Sequence, residues 1–218
     1  MIAVLDLGIG NLSSVRAGLA RAGAETVVLA NLHDWQMNFD PSSQVKALVL
    51  PGVGAFGDAM FQLRSRQLLS PLKKLAASGF PILGICLGMQ LLFSTSEEHQ
   101  GAIGLGLLPG KIVRFPSVDR VPHMGWNTLD VLRKHPLLNG IDPGDFVYFV
   151  HSYYAVPLEE EIVFAATHYA GVQVPAIVGR GQLFGMQFHP EKSGRVGAKL
   201  LENFVELSEQ GVRPNVRV

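Results

Sequence analysis

An α/β chain is expected, built on an open, mostly parallel, flavodoxin-like sheet flanked by helices, with an antiparallel or mixed extension in its C-terminal half. Three observations predict it. Apolar runs of strand length alternate with helix-like segments from Ile2 to Ile85; strands follow one another closely from Lys111 onward; and 48% of the 218 residues are apolar against 17% charged, enough to bury a core.

The first half is read element by element. Strands fall at Ile2 to Leu7, Thr26 to Leu29, Ala47 to Leu50 and Pro81 to Ile85. Helices are expected at about Leu12 to Ala22 and Met60 to Ser78. Such alternation is the mark of βαβ crossovers and a parallel sheet. Further strands are expected at Lys111 to Phe115, Asp145 to Val150, Ile162 to His168, Ala176 to Gly179 and Leu183 to Phe188. An amphipathic helix from Ser193, its N-cap, to Gln210 carries Val196, Leu200, Phe204 and Leu207 at helical spacing. The tail from Gly211 is expected to fray. No repeat, low-complexity tract or linker divides the chain, so residues 1–218 read as one domain.

Charge narrows the function classes. The first 109 residues carry 7 basic and 7 acidic side chains and the second 109 carry 11 and 11, so neither half offers a basic face to nucleic acid. Leu75 to Ser96 is 22 residues without Asp, Glu, Lys or Arg, about the length that crosses a bilayer. Gly79, Pro81, Gly84, Gly88 and Gln90 break it into strand, turn and helix, which argues against a membrane span. A single cysteine cannot form an internal disulfide, and no basic leader precedes Asp6; the chain therefore reads as cytoplasmic.

The sharpest chemical signal is Gly84-Ile85-Cys86-Leu87-Gly88, between an apolar strand and a helical stretch. A lone cysteine in an apolar segment is ordinarily a buried small hydrophobe. Flanking glycines at a strand-to-helix turn point instead to a nucleophile elbow, with Cys86 exposed where a helix N-terminus favours an anion. A nucleophile needs a base. His189, in Gln187-Phe188-His189-Pro190-Glu191, ends an apolar strand where an α/β sheet opens onto its ligand crevice. Glu191, two positions on, can accept the other imidazole N–H and fix the tautomer.

Of the seven histidines, His33, His99, His135 and His168 have no comparable setting. His123 and His151 stand in better contexts without a carboxylate two residues away. With Cys86 they could be read as metal ligands, but no paired spacing supports that, and no metal or cofactor is expected. Pro51-Gly52-Val53-Gly54 follows a strand and can turn backbone N–H groups toward an oxyanion, with Leu87 N–H as the matching donor. Gly8-Ile9-Gly10-Asn11 begins like a dinucleotide fingerprint but has Ser13 where the third glycine belongs.

Together PGVG, GICLGMQLLF and QFHPEKS, in this order, resemble the triad-type (class I) glutamine amidotransferases. DLGIGN at 6–11, PGVGAF at 51–56, GLGLLPGK at 104–111, PHMGWN at 122–127 and YFVHSYY at 148–154 extend the resemblance over the whole chain. These make it similar, within that class, to the glutaminase subunits of imidazole glycerol phosphate synthases. The resemblance implies that Cys86 attacks the side-chain amide of glutamine, that His189 moves the protons and that Glu191 orients His189. It implies an oxyanion site from Leu87 N–H with Gly52 or Val53 N–H, after reorientation of the PGVG peptide. It further implies a glutamine site from Gln90, Glu98, Ser152 and Tyr153, Glu97 being the alternative to Glu98.

Released ammonia is mostly ammonium at neutral pH and must be delivered, which calls for a second polypeptide. In the resembled family the partner is a (β/α)8-barrel cyclase of histidine biosynthesis, and Asn11, Trp126, Tyr148 and Lys192 match positions at that interface. Three alternatives stand beside it: an amidotransferase subunit of another pathway, against which PHMGWN and YFVHSYY weigh; a redox protein with an exposed elbow cysteine, which would not need the HPE segment; and a plain flavodoxin-like binding module, whose cue, an intact phosphate-binding turn, is missing.

Overall fold

The computed structural model describes residues 1–39, 43–98, 101–116 and 121–210; the expected frayed tail and His99 lie outside them. Four short strands, Ile2–Leu5 (β1), Thr26–Leu29 (β2), Ala47–Leu50 (β3) and Ile82–Ile85 (β4), pair in parallel. Between them run Leu12–Arg21 (α1), Leu32–Asn38 (α2), Phe56–Ser65 (α3) and Leu69–Ala77 (α4). In β1, side chains alternate between two cores. Ala3 and Leu5 pack with residues of α2, α3 and α4, while Ile2 and Val4 pack on the face that holds α1. Strands buried on both faces have to be apolar throughout, which is why the first half was legible as such runs.

The rest of the chain adds Leu87–Leu91 (α5), Phe93–Ser96 (β5), Ala102–Ile103 (β6), Leu108–Arg114 (β7), His123–Thr128 (β8), Asp130–Val131 (β9) and Phe146–His151 (β10). Tyr153–Pro157 (β11), Val163–Tyr169 (β12), Val172–Arg180 (β13), Leu183–Met186 (β14) and Gly194–Gln210 (α6) complete it. The main sheet has the order β2-β1-β3-β4-β14-β13-β12-β9. β14 runs parallel to β4 and antiparallel to β13, so five parallel strands carry a three-strand antiparallel extension. Two smaller sheets, β11-β7-β5-β6 and β10-β8, stand outside it. The strand order reverses between β1 and β3, and ligands of such sheets bind beyond the carboxyl ends of the strands near that point.

One expected helix, 60–78, is two. α3 ends where Gln67 takes a left-handed φ of 60°, with Gln67 N–H donating to Arg64 C=O and Leu68 N–H to Leu63 C=O. This paired closure satisfies the last carbonyls of α3 before α4 starts. The apolar run 81–85 is strand β4 with no membrane-length helix around it; no helix among the described residues is long and apolar enough to cross a membrane.

Candidate active site

The turn after β4 has the geometry its glycines require. Cys86 sits at φ 53°, ψ −109°, a region that L-residues avoid unless the surroundings enforce it. A Cβ on Gly88 would lie 1.7 Å from Leu50 O, and one on Gly84 would lie 2.6 Å from the backbone of Gly88 and Met89. Strand and helix approach so closely that neither position admits a side chain. Cys86 N–H donates to Met186 C=O across the β4–β14 pair at 2.7 Å, so the strand that leads to His189 also braces the elbow.

Cys86 is only 6% exposed. The expected exposed thiol is thus corrected: its sulfur lines a cavity of about 320 Å³ together with Val53, Gly54, Gln90, Glu98 and the 150–153 segment. That segment joins β10 to β11, whose existence the sequence reading missed. Val150 C=O lies 3.8 Å from the sulfur and Gln187 Nε2 lies 3.9 Å from it.

His189 Nδ1 and Glu191 Oε1 are 2.8 Å apart, with both side chains almost fully buried. Burial alone would lower the pKa of the ring. Interaction with Cys86, then with Glu191, outweighs burial and raises it from 6.5 to about 9. His189 Nε2 is itself buried without a hydrogen bond of normal geometry, so the ring and the sulfur interact before any well-formed bond exists between them. Active-site bonds commonly tighten only once substrate is present.

The expected oxyanion donors are not assembled in this conformation. Leu87 N–H donates to Gly52 C=O at 3.3 Å. The peptide that carries this carbonyl carries Val53 N–H on its opposite side, so one peptide holds an acceptor where a donor is required. Gly54, at φ 99°, and Gly10, at φ 115°, border it; a Cβ on Gly10 would stand 3.5 Å from Val53 N. The turn that began like a dinucleotide fingerprint therefore lies over the 52–53 peptide.

Around the cavity, Gln90 gives one amide hydrogen to Tyr153 C=O at 2.9 Å and one to Gln187 Oε1 at 3.1 Å, leaving Gln90 Oε1 as the acceptor it can present. Glu98 lines the cavity, with Oε2 accepting from Phe56 N–H at 2.8 Å. Glu97 instead faces Lys111 at 3.5 Å and the Arg114 N–H, which separates two adjacent acids that the sequence left tied. Ser152 and Tyr153 line the cavity as well, and so does His151, which sequence reasoning passed over for want of a nearby carboxylate.

Beside this site, β8 and β10 set Trp126 opposite Tyr148, ring centroids 5.9 Å apart. Trp126 is 56% exposed and Met124, two positions earlier on the same strand, 63%. Asn11 caps α1 by accepting from Ser14 N–H, while Lys192 is exposed on the short turn that follows His189. That turn packs against both α1 and β10, so the four residues share one flank. His135 and His168 lie elsewhere, stacked on Phe164 and paired with Asp130 respectively. Among the described residues no three His, Cys, Asp or Glu side chains gather as a metal-binding group.

Comparison with known proteins agrees with this geometry. The chain is 50% identical over 211 residues to a Geobacillus thermodenitrificans protein named imidazole glycerol phosphate synthase subunit HisH, covering 94% of this chain and 95% of that one. A Desulfitobacterium hafniense protein of the same name is 50% identical over 204 residues, covering 94% and 93%. At the level of fold, a solved glutamine amidotransferase superposes with a TM-score of 0.73 at 20% identity over 96% of this chain and all of that one. The structure of PurLQS from Thermotoga maritima also gives 0.73 at 20% identity, over 94% and 97%. The model of the family "Glutamine amidotransferase class-I" matches residues 3–207, and the chain belongs to that family.

Proposed function

We propose that this chain is the glutaminase subunit of an imidazole glycerol phosphate synthase, acting in histidine biosynthesis as one class I domain over residues 1–218. The observation that carries the reading is the left-handed turn at Cys86 held against the strand that delivers His189 and Glu191. Relatives half identical over nearly their full length bear the subunit's name.

In this reading the sulfur of Cys86, its proton already held on His189, attacks the side-chain carbonyl carbon of glutamine as a thiolate. His189, protonated at neutral pH because its pKa is raised to about 9, supplies the proton that the departing nitrogen takes, and ammonia leaves. The neutral ring then accepts a proton from water as that water's oxygen attacks the thioester carbon. Glutamate leaves, its carboxyl giving water's second proton to solvent, the sulfur departs as thiolate, and the ring is protonated again. Glu191 holds the Nδ1–H throughout, so that only Nε2 exchanges protons.

Gln90, Glu98, Ser152 and Tyr153 are assigned to glutamine, with Glu98 as counter-ion of its α-amino group. For the oxyanion, turning over the 52–53 peptide frees Leu87 N–H and brings Val53 N–H to the same side. That one rotation converts the resting site into a competent one. The flank carrying Trp126 and Tyr148, with Asn11 and Lys192, is assigned to a (β/α)8-barrel cyclase that consumes the ammonia; an exposed aromatic pair is the kind of anchor around which interfaces form.

The test is Cys86→Ala in the chain co-purified with its synthase partner. It is expected to abolish glutamine hydrolysis with the partner still bound. Substantial glutaminase activity in that variant removes Cys86 as the nucleophile and the reading with it.

A further inference from the structure

Behind the cavity wall lies a set of polar contacts, running from the surface at Asn127 to a buried pair of imidazoles, that the reaction above does not use. Asn127 Nδ2 is 3.0 Å from His168 C=O and 3.2 Å from His123 Nε2. His123 Nδ1 is 3.0 Å from His151 Nε2. His151 Nδ1 is 2.8 Å from Tyr153 C=O, the same carbonyl that receives Gln90.

Both ends of this chain are carbonyls, which only accept, and they fix every proton between them. Because the Asn127 amide must donate to His168 C=O, its nitrogen is correctly identified and its second hydrogen points at His123 Nε2. That nitrogen is therefore a lone pair and His123 Nδ1 carries the proton, which it gives to His151 Nε2. His151 must then carry its own proton on Nδ1, as Tyr153 C=O independently demands. Asn127 Oδ1 accepts from Thr128 N–H at 2.8 Å, so the amide cannot turn over. Aromatic rings enclose the pair: Tyr169 stacks on His123 at 3.9 Å, Phe149 at 4.6 Å, and Phe115 approaches His151 at 5.2 Å.

We propose that His123 and His151 are positioning residues for glutamine, forming with Asn127 a one-way relay that anchors Tyr153 C=O on the cavity wall. The inference rests on the glutaminase reading and deepens it. Ser152 and Tyr153 belong to the wall that receives glutamine; Ser152 C=O accepts from Phe115 N–H at 3.2 Å and Tyr153 opens β11 opposite Arg114 of β7, while Tyr153 C=O is met by the side chains of His151 and Gln90. Without the relay Tyr153 C=O loses its His151 partner and is left to Gln90, whose amide orientation then rests on Gln187 Oε1. Low pKa values of about 4 for His123 and about 3 for His151 agree with rings that each give one proton and accept one.

Two substitutions separate this role from packing. His123→Phe keeps the ring between Tyr169 and Phe149 but removes the donor. His123→Asn loses the ring but places an amide nitrogen where Nδ1 was. In the chain bound to its synthase partner, His123→Phe is expected to raise KM for glutamine about tenfold with kcat within about threefold. His123→Asn is expected to stay within about threefold of wild-type KM although its Tm is lower than that of His123→Phe. KM that follows Tm across the two, or that moves in neither, overturns the relay. A wild-type complex without glutaminase activity overturns the functional reading and the relay with it, a result distinct from an active wild type whose variants fail to move.

If either variant does not fold, histidine-selective ¹⁵N spectra of the wild type decide the matter. His123 and His151 are expected to carry their protons on Nδ1. A proton on Nε2 of either ring excludes the relay.

Discussion

His189 and His151 are both buried, one interacting with the sulfur of Cys86 and the other lining the cavity that this sulfur lines, yet their surroundings drive them in opposite directions. Burial disfavours the charged form of each. At His189 it is outweighed by Cys86 and Glu191, and the pKa rises to about 9. At His151 burial dominates, the Tyr153 carbonyl opposes it, and the charges of His123 and His189 add to it, leaving a value of about 3. The difference teaches that a buried imidazole becomes a proton donor only where an acid is buried with it. An imidazole with no acid beside it, whose charged neighbours are other imidazoles, becomes a fixed piece of scaffold. The sequence carries part of this distinction beside the ring, in Glu191 two places from His189, for which His151 has no counterpart; the larger part comes from Cys86, far away in the chain.

The sharpest way to break the comparison is at His189 itself. His189→Asn is expected to slow thioester formation by roughly 10²- to 10⁴-fold, the range of a general acid–base contribution, read by quenching a single turnover. A rate within twofold of wild type would reassign the proton carrier. Glu191→Gln keeps a hydrogen-bonding group beside Nδ1 and removes its charge. Glutamine hydrolysis is expected to fall roughly tenfold to hundredfold, and the ring's pKa, followed by NMR, to fall with it. An unmoved ring pKa would mean that the carboxylate is not what lifts it.

A smaller effect sharpens the contrast through stability. A raised pKa at His189 means the folded state holds a proton more tightly than the unfolded chain. That stabilisation is complete below about 6.5 and is lost as pH rises through about 9. Lowered values at His123 and His151 act in reverse. Their contribution is present above about 6.5 and is lost as pH falls toward about 4 and 3. Urea midpoints measured from pH 4 to 10 are expected to fall on both sides of neutrality. His189→Asn should flatten the alkaline limb alone and His123→Phe the acid limb alone. A single variant that flattened both would show that the two sites titrate as one.

Much of this arrangement was legible because it rests on chemistry that only certain residues permit. Gly84 and Gly88 announced the elbow because no other residue fits within 2.6 Å and 1.7 Å of backbone atoms. The run before His189 announced its strand because β14, buried between β4 and β13, has to be apolar. Other features left no local mark. The break between α3 and α4 has Gln67 where a glycine is usual, so the helical pattern read straight through it. β5, β6 and β11 are short or half-exposed strands whose pairing is decided by distant partners. The orientation of the 52–53 peptide depends on a single hydrogen bond to Leu87, and PGVG permits either orientation equally. Glu98 and Glu97 were indistinguishable until Lys111 drew one of them away.

The order in which the strands are synthesised has its own consequence. β14 is the last strand of the main sheet to leave the ribosome and takes a place in its middle, between β4 and β13. A nascent chain that has made the turn at Cys86 but not residues 183–191 has an open edge on β4 and lacks both His189 and Glu191. On the mechanism proposed above, such a chain does not consume glutamine. On that mechanism truncated or stalled products are inert, and competence arrives only when the final strand closes the gap.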